Sequence, residues 1–127
     1  MCVLTIKRDE NLLPLRAKSR IVVLGNHEDR DWSKSEKYAP VLRADSLRLM
    51  VSLAVENRRV LKQGDCKNAF CQGDLPADET TIVRPPSGDP DAGEREYWLL
   101  LKTLYGLRRS PRHWYEKLKA VLLSLGL

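Results

Sequence analysis

Apolar residues recur at three- and four-residue steps through DSLRLMVSLAVENR, with Leu47, Met50, Val51, Ala54 and Val55 on one side and Arg48, Ser52 and Glu56 on the other. That spacing predicts an amphipathic helix with Asp45 as its N-cap. A second helical stripe, Trp114, Leu118, Val121, Leu122 and Leu125, follows Pro111. Proline suits the first turn of a helix, where its missing N–H costs nothing. Strand patterns surround these helices. RIVVL (20–24) is a β-branched run closed by Gly25-Asn26, and Val60 to Asp65, Thr80 to Val83 and Tyr97 to Leu101 read as further short strands. Residues 1–15 are expected to be an irregular lead-in. His27 to Ala39 reads as a charged loop, SGDPDAGE (87–94) as a second loop, and Leu104 to Ser110 as a turn around Gly106. The order strand, helix, strand, strand, strand, helix predicts an α+β domain over 16–127, a mixed, mainly antiparallel sheet backed by helices.

Composition narrows the class. At 127 residues, with 43% hydrophobic and 31% charged residues, the chain suits one globular domain and not a disordered segment. The net charge of +5 tilts toward an anionic partner, nucleic acid first. Its distribution says more than its total. Between Lys102 and Lys119 six Lys or Arg face the single acid Glu116, whereas between Asp65 and Glu96 eight acids face three bases. A solvated helix face explains the basic cluster as well as a nucleic-acid contact does. The cysteines, Cys2, Cys66 and Cys71, are odd in number, and MCVLTIKRDENL has no apolar signal-peptide core. Both features suggest a reducing, intracellular compartment. No apolar run reaches the ~20 residues of a membrane span, and Cys66 and Cys71 lack the second ligand pair of a zinc site.

Chemistry concentrates in QGDCKNAFCQGD (63–74), where Asp65 stands at the end of an expected strand and Phe70, the one Phe of the chain, follows it. Alone, Asp65 is an ordinary turn former. Its company changes that. Five blocks in order, KSRIVVLG (18–25), YAPVLRADSLRLMVSLAVEN (38–57), LKQGDCKNAFCQGDL (61–75), TIVRPPSG (81–88) and LLKTLYGLRRSPRHWYEKL (100–118), resemble the reverse transcriptase of Ty1/copia-type retrotransposons.

The resemblance implies part of a right-hand polymerase, the fingers and the first half of the palm. It implies an RNA template, a DNA or RNA primer, deoxynucleoside triphosphates, the rest of a Pol polyprotein as partner, and no membrane. The setting it implies is a cytoplasmic virus-like particle or the nucleus. Asp65 matches the first catalytic aspartate. In such enzymes two Mg²⁺ ions, about 3.5–4 Å apart, activate the primer hydroxyl and hold the leaving pyrophosphate, and carboxylates are their hard oxygen ligands. By the same resemblance the Cys66 carbonyl is a further metal ligand, and the amides of Asn68 and Ala69 lie near the triphosphate. Phe70 matches the ring that excludes a ribose 2′-hydroxyl by shape; a plain core Phe is the other reading. Lys18 and Arg20 match the basic residues that grip the triphosphate, and strand alternation puts them on one face. The family carries a second Arg just before the glycine, where this chain has Leu24. Gly106 would let the backbone approach the templating base or nucleotide. Arg108 and Arg109, where the family commonly has Lys-Gln, would meet template phosphates.

The family's second carboxylate pair, in a Tyr-x-Asp-Asp hairpin, has no match, and no Asp-Asp occurs anywhere in the chain. The expectation is a piece of a polymerase that ends before that hairpin and is inactive alone. The alternative is a non-catalytic, nucleic-acid-binding remnant of a degenerate element.

Overall fold

In a computed structural model, residues 1–90, 93 and 96–127 are described. The elements are β1 (Cys2–Arg8), β2 (Pro14–Ile21), α1 (Lys34–Lys37), α2 (Ala44–Glu56), β3 (Ile82–Val83), β4 (Trp98–Leu99) and α3 (Ser110–Ser124), with short 3₁₀ turns at Gly25–His27 and Ala69–Cys71. The α+β class holds. The single backed sheet does not: β1 pairs only with β2 and β3 only with β4, both antiparallel, as two separate two-stranded sheets among the described residues. Part of the expected SGDPDAGE loop (residues 91, 92 and 94) lies outside the described residues.

Residues 1–15 are not an irregular lead-in. Cys2, Leu4 and Ile6 alternate with Val3, Thr5 and Lys7 to make β1, a period-two pattern with a strong turn behind it. Asp9 makes that turn. Its Oδ1 accepts from the amides of Asn11 and Leu13, each at 2.9 Å, an Asx-type closure of the hairpin. The expected strand at RIVVL changes partner halfway. Val22 still exchanges two backbone hydrogen bonds with Met1, at 2.8 and 2.9 Å, and Val23 N then donates to Tyr105 O at 2.8 Å. His27 to Ala39 is not all loop either. Ser33 and Glu36 form a reciprocal capping box that starts α1, a signal readable as Ser-x-x-Glu.

Val60 to Asp65 forms no strand. A strand exists only through its ladder, and among the described residues this segment meets no partner strand. Helix α2 forms as its spacing predicts, but Arg43 and not Asp45 is its N-cap. Asp45 lies in the first turn, where its charge favours the helix dipole and pairs with Arg48 at 3.3 Å. The apolar side of α2 is uncovered: Leu47, Met50 and Val55 are 50, 54 and 71% exposed, and only Ala54 is buried. The expected buried stripe of α3 fails likewise at its far end, with Leu125 67% exposed. Among the described residues no helix is long and apolar enough to cross a membrane.

The core sits around the block that leads into α3. Thr103, Ser110 and His113 are buried there with Trp32 and Leu107. Polar burial is tolerated because partners are built in. Thr103 Oγ1 donates to the carbonyls of Phe70 and Gly73, and Ser110 Oγ donates to Leu104 O at 2.6 Å. A side chain on Gly73 would come within 2.5 Å of Thr103 Oγ1 and 3.2 Å of the His113 backbone, so α3 packs directly on the 69–73 segment.

Candidate nucleotide and nucleic-acid site

β2 carries Lys18 and Arg20, and the register pairs them with Thr5 and Val3, so both project from one face of the ribbon. Arg20 lies over the Tyr105 ring, 6.0 Å from its centroid. Tyr105 in turn meets Phe70 edge to face, with centroids 5.4 Å apart and planes at 74°. Phe70 is half-buried. Asp65 lies in the irregular segment before it and is exposed. The Lys18 ammonium is held below its ordinary pKa, first by the Arg20 charge, then by desolvation and by Lys7 and Arg16, while the Asp65 carboxylate pulls it back up. Arg20 and Phe70, distant in sequence, thus both meet Tyr105, and Lys18 shares the strand face of Arg20.

The chain turns between Asp65 and Phe70 at Asn68, whose φ of 51° is left-handed, a conformation asparagine tolerates. Asn68 O accepts from Cys71 N at 2.8 Å, which starts the 3₁₀ turn at Ala69. Cys66 is exposed.

Gly106, Arg108 and Arg109, which follow Tyr105, make contacts within the fold. At Gly106 φ is +94°, and a Cβ would lie 2.0 Å from Val23 O. Arg108 ties the same junction, its Nε donating to Gly25 O at 2.7 Å and its amide to Glu28 Oε1 at 2.9 Å. Arg109 pairs with Glu79 and lies over Trp32 at 4.5 Å. Trp32 Nε1 donates to Glu28 Oε2 at 2.7 Å, which closes the cluster. His113 Nε2 lies 3.3 Å from the same Glu79 oxygen without completing a hydrogen bond. A cleft of about 520 Å³ opens beside Trp32, Glu79 and His113 and does not reach Asp65 or Phe70.

The Glu79–Arg109 pair has an expected mutational signature. Both side chains are mostly buried, at 11% and 20% exposure. Glu79→Ala leaves the guanidinium unpaired in that setting and should cost about 3 kcal/mol. A urea melt checks it, and a loss below about 1 kcal/mol, the range of an exposed pair, would contradict the cluster's role.

The residues present do not by themselves make a magnesium site. Among the described residues no group of three His, Cys, Asp or Glu side chains is placed to hold a metal ion. The sequence reading missed Tyr105, Glu79 and Trp32 as organising residues. Tyr105 was the most accessible of them, as a lone aromatic next to the turn glycine.

Residues 2–127 match the family model for reverse transcriptase, RNA-dependent DNA polymerase. The chain belongs to that family. It is 36% identical over 112 residues, 87% of its length, to the retrovirus-related Pol polyprotein from transposon RE2 of Arabidopsis thaliana. The same identity and coverage hold for the polyprotein from transposon RE1 of that plant. Against the one from transposon TNT 1-94 of Nicotiana tabacum it is 34% identical over 123 residues, 96% of its length. These copia-type relatives are far longer, and the chain spans 8 to 9% of each. No solved structure matches.

Proposed function

We propose that these residues are the fingers and the first half of the palm of an RNA-directed DNA polymerase, and that they hold the incoming deoxynucleoside triphosphate. The observation that carries this reading is Arg20 lying over the Tyr105 ring, which meets Phe70 edge to face, with Lys18 on the same strand face as Arg20. Two cations on one strand face supply charge-assisted donors for phosphate oxygens. The half-buried Phe70 ring, braced by Tyr105, supplies a wall against which a sugar can be measured by shape. Asp65 is the carboxylate this chain contributes to the metal site, with the Cys66 carbonyl beside it and the amides of Asn68 and Ala69 on the phosphate side. Further carboxylates must come from other residues of the polymerase, since no Asp-Asp occurs among these 127. The uncovered apolar sides of α2 and α3 fit the same reading, because a larger palm would bury them. The RNA template, the primer and the rest of the Pol polyprotein are its partners in this reading.

The test is an equilibrium titration of the chain with a fluorescent deoxynucleoside triphosphate. Hydrogen bonds to charged groups contribute about 1.5–3 kcal/mol each, so Lys18→Gln/Arg20→Gln should weaken binding at least ~10-fold. Wild-type binding no tighter than that of the matching nucleoside, or an unchanged double variant, would overturn the reading.

A further inference from the structure

Phe70 is held at two points by one short segment. Its ring meets Tyr105 edge to face, with centroids 5.4 Å apart. Its carbonyl accepts a hydrogen bond from Thr103 Oγ1. Thr103 and Tyr105 are two residues apart, so a single stretch of chain grips both the backbone and the side chain of Phe70. That stretch is itself fixed in register. Thr103 N donates to Gly73 O at 3.0 Å, and Lys102 forms an antiparallel bridge with Asp74. Asp74 is tied in turn to α3, with Lys117 Nζ at 2.6 Å.

Packing alone does not call for the Thr103 hydroxyl. The residue is 2% exposed, and a valine of the same shape would fill the space with no polar group to satisfy. The hydroxyl has one proton and two carbonyls before it, those of Phe70 and Gly73, and the contact with Phe70 is the shorter. Gly73 O already takes the Thr103 amide. The proton is therefore free for Phe70 O. Phe70 lies in the 3₁₀ turn Ala69–Cys71, where Cys71 N donates to Asn68 O and Gln72 N to Ala69 O. Neither bond uses the Phe70 carbonyl. Thr103 supplies its donor from across the fold.

We propose that Thr103 is a positioning residue for sugar discrimination. Its hydroxyl fixes the Phe70 carbonyl and, with Tyr105, sets how far the ring stands into the space of a ribose 2′-hydroxyl. The inference rests on the reading of Phe70 as the wall against the sugar and adds the group that holds that wall in place. Buried as it is, Thr103 touches no substrate and acts through Phe70. A wall that selects by shape depends on its position, so loosening its backbone tether weakens the selection.

The test is primer extension by a Pol polyprotein that carries this domain together with a Tyr-x-Asp-Asp segment. The readout is the ratio of kcat/KM for a deoxynucleotide to that for the matching ribonucleotide. Thr103→Val should lower that ratio by ~10-fold, a part of the ~10²-fold that a misplacement of about 1 Å costs at a reacting centre. Thr103→Ser keeps the hydroxyl and should keep the wild-type ratio. Ser110→Ala removes a second buried hydroxyl of the same core, one that bonds Leu104 O and not Phe70. It should lower stability without moving the ratio. An unchanged ratio in Thr103→Val, or an equal fall in Thr103→Ser or Ser110→Ala, would overturn the proposal. If Thr103→Val does not fold, Thr103→Cys decides, because its thiol is only a weak donor. A ratio below that of Thr103→Ser is then expected, and an equal one would remove the inference. Phe70→Ala separates this proposal from the reading beneath it. A lowered ratio in Phe70→Ala with none in Thr103→Val removes Thr103 alone. An unchanged ratio in Phe70→Ala removes the sugar wall and Thr103 with it.

Discussion

Gly106→Ala is expected to lower stability by about 3 kcal/mol or more, enough to unfold much of a marginally stable domain. Two costs combine. The backbone φ of +94° is one an L side chain rarely adopts, and strain of that kind costs of order 1–3 kcal/mol. A Cβ would also sit 2.0 Å from Val23 O, a backbone atom that cannot rotate away. The contact is reciprocal, because a Cβ on Gly25 would lie 2.1 Å from Gly106 O. Two bare backbones therefore interlock where the end of the β2 run meets the turn into α3. The Val23–Tyr105 hydrogen bond and the Arg108 side chain fasten the same junction. Gly64→Ala is the contrast. Nothing lies within 4 Å of its Cβ position, and a surface change of that sort should stay within about 0.5 kcal/mol. Urea midpoints of the two variants measure the difference. A Gly106→Ala chain as stable as Gly64→Ala would remove the interlock and return Gly106 to a contact with template or nucleotide.

What the sequence made legible follows from how local each signal is. The helix at 44–56 was readable because a 3.6-residue period is a property of the segment itself, and the final helix likewise from Pro111 onward. The strand at Val60 to Asp65 was not, because its residues state a preference while the ladder depends on neighbours that the described residues do not include. The β1–β2 hairpin is legible in principle, since Cys2, Leu4 and Ile6 alternate cleanly; Pro14 speaks against a strand except at a strand end where no amide is needed, which is where it stands. Arg108 and Arg109 illustrate a different limit. A basic pair in a turn reads as solvent- or phosphate-facing, and only the tertiary fold brings Glu28 and Glu79 to meet it. Asp65 and Phe70 stand out in the sequence only through the resemblance that the blocks around them carry, whereas the contacts of Tyr105 with Phe70 and Arg20 exist only in three dimensions.

The largest effect expected anywhere in the chain is at Asp65, and it tests the central claim most directly. The measurement is primer extension on an RNA template by a Pol polyprotein that carries this domain together with a Tyr-x-Asp-Asp segment, comparing wild type with Asp65→Asn. Asparagine keeps the shape and removes the charge, and its neutral amide oxygen is a far weaker ligand for a divalent cation than a carboxylate. Extension should fall by ~10³-fold or more, the scale of losing a group that acts at the reacting atoms, while binding of template and primer is retained. Extension within about tenfold of wild type, a change of only about 1.4 kcal/mol in the barrier, would contradict the account. It would leave Asp65 an ordinary turn residue.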